Sequence, residues 1–349
     1  MKSTSVLFAV VGCLALSACA LSVSTSAPDE GGQTPQGAAE FDAVGAVAQL
    51  APDASLYTTR IFDWRDGPRN RSVPVRLYLP AMTNGAAAWP VPLVVFSHGI
   101  GGSRDGYKYL GRHFAANGYA SLHLQHVGSD RQLWFGNPFS LLGRLNDAAR
   151  ESEAIDRVRD LSFALDQLLA SDIGGSVDPQ RIIAAGHSYG ANTAMLAVGA
   201  QVERDGRVLP LRDARFKAAI LLSAPPFYGA DNTGRILGDI AIPTLHITAT
   251  EDDITIPGYR SGLTDRLAVY HAIGNGHAAP KALAVFKGGS HSIFTDRMGT
   301  GGMELNPRVK AATRDLAVAF LNSLFAGDSG ALGRWQMQHA GLIDRFDHK

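Results

Sequence analysis

From Tyr57 onward the chain alternates short apolar runs with longer amphipathic segments, and this alternation restricts the possible folds more than any other property. Apolar runs typical of strands lie at 73–79, 92–97, 119–124, 181–185, 218–223, 244–248 and 282–286. Helical periodicity occurs at 107–118, 155–169 and 191–200, and Pro307 begins a last helix to about 325. This order predicts an α/β fold, a mostly parallel sheet with helices on both faces, in which functional residues follow the strands.

Charge and cysteine content exclude several kinds of function. Lys plus Arg and Asp plus Glu are equal at 32 each among 349 residues, so the chain has no electrostatic footprint for nucleic acid. Both cysteines, Cys13 and Cys19, lie in the first 19 residues. We therefore expect a folded body without disulfides and without a thiol nucleophile.

The N-terminus has the features of an export signal. Lys2 precedes an apolar run at 6–16 that is too short to span a bilayer, and Leu-Ser-Ala-Cys at 16–19 resembles the bacterial lipobox. This resemblance implies a lipoprotein signal peptide at 1–18, a lipid on Cys19, and export to the periplasm or cell surface with the chain anchored to a bacterial membrane. The alternative is an ordinary small-residue cleavage site. We expect a flexible tether at 19–52, a catalytic domain at 53–326 and a C-terminal tail at 327–349.

A serine lies in the turn between a predicted strand and a predicted helix. The pentapeptide Gly-His-Ser-Tyr-Gly occupies 186–190, after the strand at 181–185 and before the helix at 191–200. In so sharp a turn the serine is exposed at the strand end, the flanking glycines avoid collisions, and the helix N-terminus stabilises negative charge. These features predict Ser188 as a nucleophile.

A serine nucleophile needs a base, and a carboxylate must orient that base. His291 follows the strand at 282–286 and precedes the last helix, where the chain order serine, acid, histidine places the base. Three adjacent carboxylates follow the strand at 244–248, and chemistry alone does not separate them: Glu251, Asp252 and Asp253. The odd spacing of His123 and His126 puts them on opposite faces of a strand, which argues against a metal site. We expect neither a metal nor a cofactor.

A glycine-rich loop follows the strand at 92–97. Its sequence, Ser-His-Gly-Ile-Gly-Gly at 97–102, can turn backbone N–H groups toward a substrate. We predict an oxyanion hole formed by the N–H of Ile100 and, from the residue after the nucleophile, the N–H of Tyr189. No Lys-Ser or Lys-Thr follows the glycines, so the loop does not fit a phosphate-binding P-loop.

Five ordered motifs between about Tyr57 and Phe325 resemble those of bacterial α/β-hydrolases often labelled dienelactone-hydrolase-like. That group is similar to the platelet-activating-factor acetylhydrolases and the cutinase-like polyester hydrolases. The motifs are the loop at 97–102, Gln-His-Val-Gly-Ser-Asp at 125–130, Gly-His-Ser-Tyr-Gly at 186–190, Ile-Pro-Thr-Leu-His at 242–246 and Gly-Gly-Ser-His at 288–291. The resemblance implies the α/β-hydrolase fold, a Ser-His-Asp triad and hydrolysis of carboxylic esters. True dienelactone hydrolases use a cysteine nucleophile, whereas the turn at 186–190 has a serine. The label therefore does not identify the substrate.

Spacing within this group predicts Asp252 as the acid and leaves Asp253 as the alternative. Asp252 lies nine residues after Pro243, as the acid generally does in such enzymes, whereas the common spacing of four residues before a proline, here Pro257, favours Asp253. Glu251 is the third alternative.

The sequence therefore predicts a serine esterase that acts on small-molecule or lipid-like esters. Four aromatic residues are candidate walls of an apolar substrate pocket or, alternatively, core residues: Trp134, Phe135, Phe227 and Tyr228. The segment 138–149 is a candidate cap. An amidase, a peptidase or an acyltransferase would use the same triad, and a non-catalytic lipoprotein of the same fold is the alternative from a different class.

Overall fold

A large, mostly parallel sheet organises the molecule. The computed structural model describes residues 52–349 except 82–88, 205, 228–232, 257–258, 275–277 and 298–299. Cys19, the predicted signal peptide and all but the last residue of the predicted tether therefore lie outside the described residues. Within the described ranges we find no helix with the length and apolar character needed to traverse a bilayer.

The strands of the described residues are β1 (Tyr57–Asp66), β2 (Arg71–Pro80), β3 (Val91–Ser97), β4 (Ala120–Leu124), β5 (Val177–His187), β6 (Glu203–Arg204), β7 (Arg207–Val208), β8 (Phe216–Leu222), β9 (Thr244–Glu251), β10 (Ile254–Ile256), β11 (Tyr259–Ser261), β12 (Lys281–Ser290) and β13 (Ile343–His348). The helices are α1 (Lys108–Ala116), α2 (Leu141–Ala148), α3 (Glu151–Ala170), α4 (Tyr189–Val198), α5 (Thr233–Leu237), α6 (Leu263–Ala272), α7 (Leu305–Phe325) and α8 (Ala331–His339).

Nine of these strands form one sheet in the order β1-β2-β4-β3-β5-β8-β9-β12-β13. The strands from β4 to β12 in this order pair in parallel, and antiparallel pairing occurs at the two ends, in β1 and β2 and in β13. β10 with β11, and β6 with β7, form separate hairpin pairs. This is the α/β-hydrolase fold that the sequence predicts. The parallel pairing brings the carboxyl ends of β3, β5, β9 and β12 to one edge of the sheet.

Two hydrophobic cores cover the two faces of the sheet. In β3, Leu93 and Val95 belong to the core that contains residues of α3 and α4, whereas Val94 and Phe96 belong to the core that contains residues of α1, α7 and α8. All seven residues of β3 are buried. A strand covered on both faces needs an apolar residue at every position, which is why the central strands read as continuous apolar runs.

The C-terminal segment differs from the expected tail. Within 327–349, α8 packs on α7 through the buried Trp335, whose Nε1 donates to the carbonyl of Ala312 at 2.8 Å. β13 then pairs with β12 and closes the sheet at that edge. The folded body therefore extends to His348 and not only to residue 326. The sequence conceals this because β13 is an edge strand with half-exposed, charged residues and has no apolar alternation.

Candidate active site

Ser188 lies in the turn between β5 and α4, with a backbone conformation that few residues adopt. Its φ is 55° and its ψ is −121°, a strained combination for a residue with a side chain. The turn closes tightly: a Cβ at Gly186 would lie 2.2 Å from the Gly190 carbonyl oxygen, and one at Gly190 would lie 1.9 Å from the Ser97 carbonyl oxygen. Only glycine fits at either position, and the turn holds the Ser188 hydroxyl at the carboxyl edge of the sheet.

Three side chains form a hydrogen-bonded row at this edge. His291 begins the turn that follows β12, and its Nε2 lies 2.8 Å from the Ser188 Oγ. The His291 Nδ1 lies 2.7 Å from Oδ1 of Asp252, which follows β9. The His291 side chain is 19% exposed and that of Asp252 is fully buried. Ser188 is also partly exposed, so the serine and the imidazole border solvent whereas the carboxylate does not.

The buried carboxylate of Asp252 is held in its charged form. The Thr248 hydroxyl donates to its Oδ2 at 2.7 Å, and the Arg266 Nε lies 3.6 Å from the same oxygen. Burial alone would raise the pKa of Asp252, but the His291 imidazole and the Arg266 guanidinium outweigh burial and lower that pKa well below its usual range. The neighbours Glu251 and Asp253 are exposed. Of the three adjacent carboxylates, Asp252 is the one that the structure places against His291.

His187, the residue before the serine, links His291 to the glycine-rich loop at 97–102, which is predicted to form the oxyanion hole and is called the oxyanion loop below. Its Nε2 lies 3.0 Å from the His291 carbonyl oxygen and must donate, so its Nδ1 accepts from the Tyr107 hydroxyl at 2.8 Å. The Tyr107 hydroxyl oxygen in turn accepts from the N–H of Gly99 at 3.4 Å. Burial, together with the nearby His291, lowers the pKa of His187 to about 3. The neutral ring is therefore a fixed link between the two loops.

Two backbone N–H groups are free at the predicted oxyanion hole. Among the described residues, no hydrogen-bond acceptor contacts the N–H of Ile100 or of Tyr189. Trp134 packs on the same loop, and its Nε1 donates to the Gly101 carbonyl at 2.8 Å. Ile100 and Trp134 also pack against a small buried cluster of Leu133, Leu145 and Ala148, the last two of which belong to α2. The segment at 138–149, a candidate cap in the sequence, thus packs beside the oxyanion loop.

The other predicted pocket residues lie in different environments. Phe135 is 64% exposed, whereas Phe227 is 6% exposed and packs within the core on the α3 and α4 face, which is the alternative interpretation of its role. Tyr228 lies outside the described residues. His123 and His126 are buried and bonded to different groups, and the described part of the chain has no group of three or more His, Cys, Asp or Glu side chains arranged to hold a metal ion.

Four residues around the row were not singled out from the sequence: Tyr107, Arg157, Thr248 and Arg266. A signal existed for Arg157, which is spaced three residues after Ala154 and four before Leu161, two buried positions of α3. A charged residue on the buried face of a helix indicates a polar partner in the interior. Tyr107 and Arg266 carry no comparable local pattern, because their partners His187 and Asp252 lie 80 and 14 positions away. Thr248 lies four residues before Asp252, at the end of a predicted strand, and no pattern there marks it.

One comparison with known proteins bears on this site. Residues 63–131 match the sequence model of the family described as platelet-activating factor acetylhydrolase, isoform II. The chain is similar to these acetylhydrolases of the α/β-hydrolase superfamily. The matched segment runs from β1 to just past β4 and includes the oxyanion loop, but it ends before Ser188. No curated protein sequence matches the chain. Together the family likeness and the fold support a serine hydrolase of carboxylic esters.

Proposed function

We propose that the chain is a serine esterase in which Ser188 attacks the ester carbonyl, His291 is the base and Asp252 orients it. The observation that supports these roles is the continuous row Ser188, His291 and Asp252, with contacts of 2.8 Å and 2.7 Å. A neutral imidazole with its Nδ1 proton directed at a carboxylate presents a free lone pair at Nε2, and that lone pair takes the serine proton.

The proposed reaction has two steps. In the first, the Ser188 oxygen bonds to the carbonyl carbon, and the resulting oxyanion binds to the N–H groups of Ile100 and Tyr189. His291 gives the proton to the leaving alcohol as the acyl-enzyme forms. In the second step His291 takes a proton from water, which attacks the acyl carbon. His291 then returns this proton to the Ser188 oxygen as the bond between that oxygen and the acyl carbon breaks and the acid is released. The chain's own residues supply the nucleophile of the first step, the base and the two oxyanion donors.

Hydrolysis of p-nitrophenyl butyrate by Ser188→Ala tests the proposal. We expect kcat to fall by about 10⁴–10⁶-fold, as it does when a triad nucleophile is removed. A variant with near-wild-type activity would contradict it. Labelling with a fluorophosphonate followed by peptide mapping provides an internal control, because Ser97, His126 and Asp160 form a second hydrogen-bonded row that is fully buried. Modification is expected at Ser188 and not at Ser97.

The substrate class can be tested on the same enzyme. We propose esters and not amides, and an acyl series from acetate to palmitate, extended to a phospholipid and a polyester film, ranks the preferred acyl chain. The matching p-nitroanilides are the control. Faster turnover of the anilides than of the esters would favour an amidase or peptidase with the same three residues.

We propose further that the chain is exported and carries a lipid on Cys19. The support is sequence alone: the apolar run at 6–16 and the Leu-Ser-Ala-Cys motif at 16–19. Cys19→Ala should move the protein from the membrane pellet to the soluble fraction. Cys13→Ala, in the apolar run, is the matched control and should leave the protein in the pellet. A Cys19→Ala protein that still sediments with membranes would contradict the anchor.

A further inference from the structure

The side chain of Arg157 in α3 is fully buried beneath the oxyanion loop, yet no carboxylate of the described residues lies within ion-pair distance of it. Its donors contact neutral oxygens. Nε donates to the Thr193 hydroxyl at 2.9 Å, Nη1 donates to the Ser129 hydroxyl at 2.8 Å, and Nη2 donates to the Ser97 hydroxyl at 3.1 Å and to the His98 carbonyl. A buried charge without a direct counter-ion is costly, so this position needs an explanation.

A chain of hydrogen bonds connects the guanidinium to a distant carboxylate. Because Nη2 of Arg157 only donates, Ser97 accepts from it and directs its own proton to the His126 Nε2 at 2.8 Å. The His126 Nδ1 then donates to Asp160 at 3.0 Å. Burial lowers the pKa of His126 well below its usual value, so this imidazole is neutral, as the chain requires. The Ser97 hydroxyl therefore donates one hydrogen bond, to His126, and accepts another, from Arg157.

The same guanidinium contacts both elements that form the oxyanion hole. On one side it bonds to the His98 carbonyl, two residues before Ile100. On the other side it bonds to the Thr193 hydroxyl, which donates to the carbonyl of Tyr189 at 3.0 Å, and its Cζ lies 4.3 Å from the centre of the Tyr189 ring. The two N–H donors come from separate elements, the loop after β3 and the start of α4. Arg157 thus bonds directly to the loop and, through Thr193, to the first turn of α4.

We propose that Arg157 is the positioning residue of the oxyanion hole: its planar fork fixes the distance and angle between the Ile100 and Tyr189 N–H groups. This inference rests on the proposed esterase function. Arginine suits this task because its donors have a rigid planar arrangement, whereas a lysine ammonium on a flexible stem does not hold two elements at once. Arg157 does not contact the substrate, and it acts through the backbone of the residues that do.

Steady-state kinetics of Arg157→Lys and Arg157→Met test this role. Deletion of a direct oxyanion donor lowers kcat by about 10²–10³-fold, so misplacing one donor should lower kcat by about 10–100-fold. KM should change little, because the hole is used mainly in the transition state. The inhibition constant of an alkyl boronic acid, whose tetrahedral adduct places an oxygen in the hole, should weaken by the same factor as kcat.

Arg71→Met is the matched control. Arg71 belongs to the same buried polar cluster but pairs with the carboxylates of Glu153 and Asp160 and, at 3.9 Å, of Asp156. Its loss should lower the unfolding temperature while kcat and boronic acid inhibition stay near the wild-type values. If Arg157→Met does not fold, Thr193→Val removes one of the two links with a smaller change, and we expect a several-fold lower kcat with an unchanged KM.

The outcomes separate this inference from the proposed function. Hydrolysis by the wild-type enzyme that is abolished in Ser188→Ala establishes the esterase independently of Arg157. Against that background, wild-type kcat and boronic acid inhibition in Arg157→Lys would overturn the positioning role and leave the esterase intact. An equal loss of kcat in Arg71→Met would also overturn it, because the effect would then follow from general damage to the buried cluster.

Discussion

Replacing Asp252 with asparagine exchanges one carboxylate oxygen of the proposed triad for an NH₂ group and nearly preserves the volume of the side chain. The carboxylate accepts two hydrogen bonds, from the His291 Nδ1 at 2.7 Å and from the Thr248 hydroxyl at 2.7 Å. An asparagine has one acceptor oxygen and one donor NH₂ group, so it cannot accept from both partners. The Arg266 Nε lies 3.6 Å from the oxygen on the Thr248 side. This cation favours the amide oxygen on that side and turns the NH₂ group toward His291.

The expected result is an imidazole in the wrong tautomer. If the NH₂ group faces Nδ1, that nitrogen must accept, and the ring proton moves to Nε2, which then faces the Ser188 hydroxyl. His291 can no longer take the serine proton. A tautomer change of this kind lowers kcat by about 10⁴-fold, which corresponds to about 5 kcal/mol of transition-state stabilisation. KM should stay nearly constant, since the side chain of Asp252 is fully buried and does not reach the substrate.

The assay is hydrolysis of p-nitrophenyl butyrate near neutral pH, with urea unfolding to show that each variant is folded. Asp253→Asn is the matched control, because the exposed neighbour loses the same charge without facing His291. Its kcat should remain within about threefold of the wild-type value, as is usual for a surface substitution. Asp252→Asn with more than about a tenth of wild-type kcat, or a larger loss in Asp253→Asn, would refute the assignment of the acid.

Three further predictions concern packing, hydrogen bonding and pH. Gly190→Ala should lower kcat at least about 100-fold and destabilise the fold, because its Cβ would lie 1.9 Å from the Ser97 carbonyl oxygen. The control is Gly333→Ala in α8, where a Cβ meets open space. This change should raise the free energy of unfolding by up to about 1 kcal/mol in thermal unfolding. Tyr107→Phe leaves the buried His187 Nδ1 without its donor and should cost about 1–3 kcal/mol in urea unfolding; an unchanged midpoint would contradict the link. Burial lowers the pKa of His246 to about 3, so only the unfolded state binds this proton below about pH 6.5, and stability falls as the pH drops toward 3. In His246→Asn the slope of unfolding free energy against pH, measured from about pH 6 to about pH 4, should decrease by about 1.4 kcal/mol per unit, and an equal slope would contradict the neutral histidine.

Local sequence was sufficient for the parts of the fold that are buried on both faces. The central strands are continuous apolar runs because each of their faces packs against helices. The candidate catalytic residues follow these strands because parallel strands have their carboxyl ends at one edge of the sheet. The turn that holds Ser188 is also a local property, since Gly186 and Gly190 are the residues that its closure requires. His291 could also be predicted from local sequence, because it lies after a strand and before the last helix.

The two edge strands of the sheet could not be predicted from local sequence patterns. β1 and β13 present mostly exposed or half-exposed residues, and the charged side chains that protect an edge from further pairing also remove the apolar alternation that identifies a strand. Their positions depend on pairing with β2 and β12, and only the folded sheet provides these partners. For this reason the segment at 327–349 has the sequence pattern of a tail, although its strand β13 closes the sheet.

The choice among Glu251, Asp252 and Asp253 depends on the tertiary structure for a related reason. The three side chains have the same charge and are adjacent, so chemistry alone does not separate them, and spacing favours Asp252 while leaving Asp253 open. A strand end, however, directs successive side chains to different sides. Asp252 points into the interior, where Thr248, Arg266 and His291 meet it, and its neighbours point to solvent. Arg157 likewise acquires its proposed role from contacts with residues 28 to 60 positions away, which no local pattern contains. Sequence patterns of short range thus set the strand ends and the turn at Ser188, while the directions of individual polar side chains follow from long-range packing.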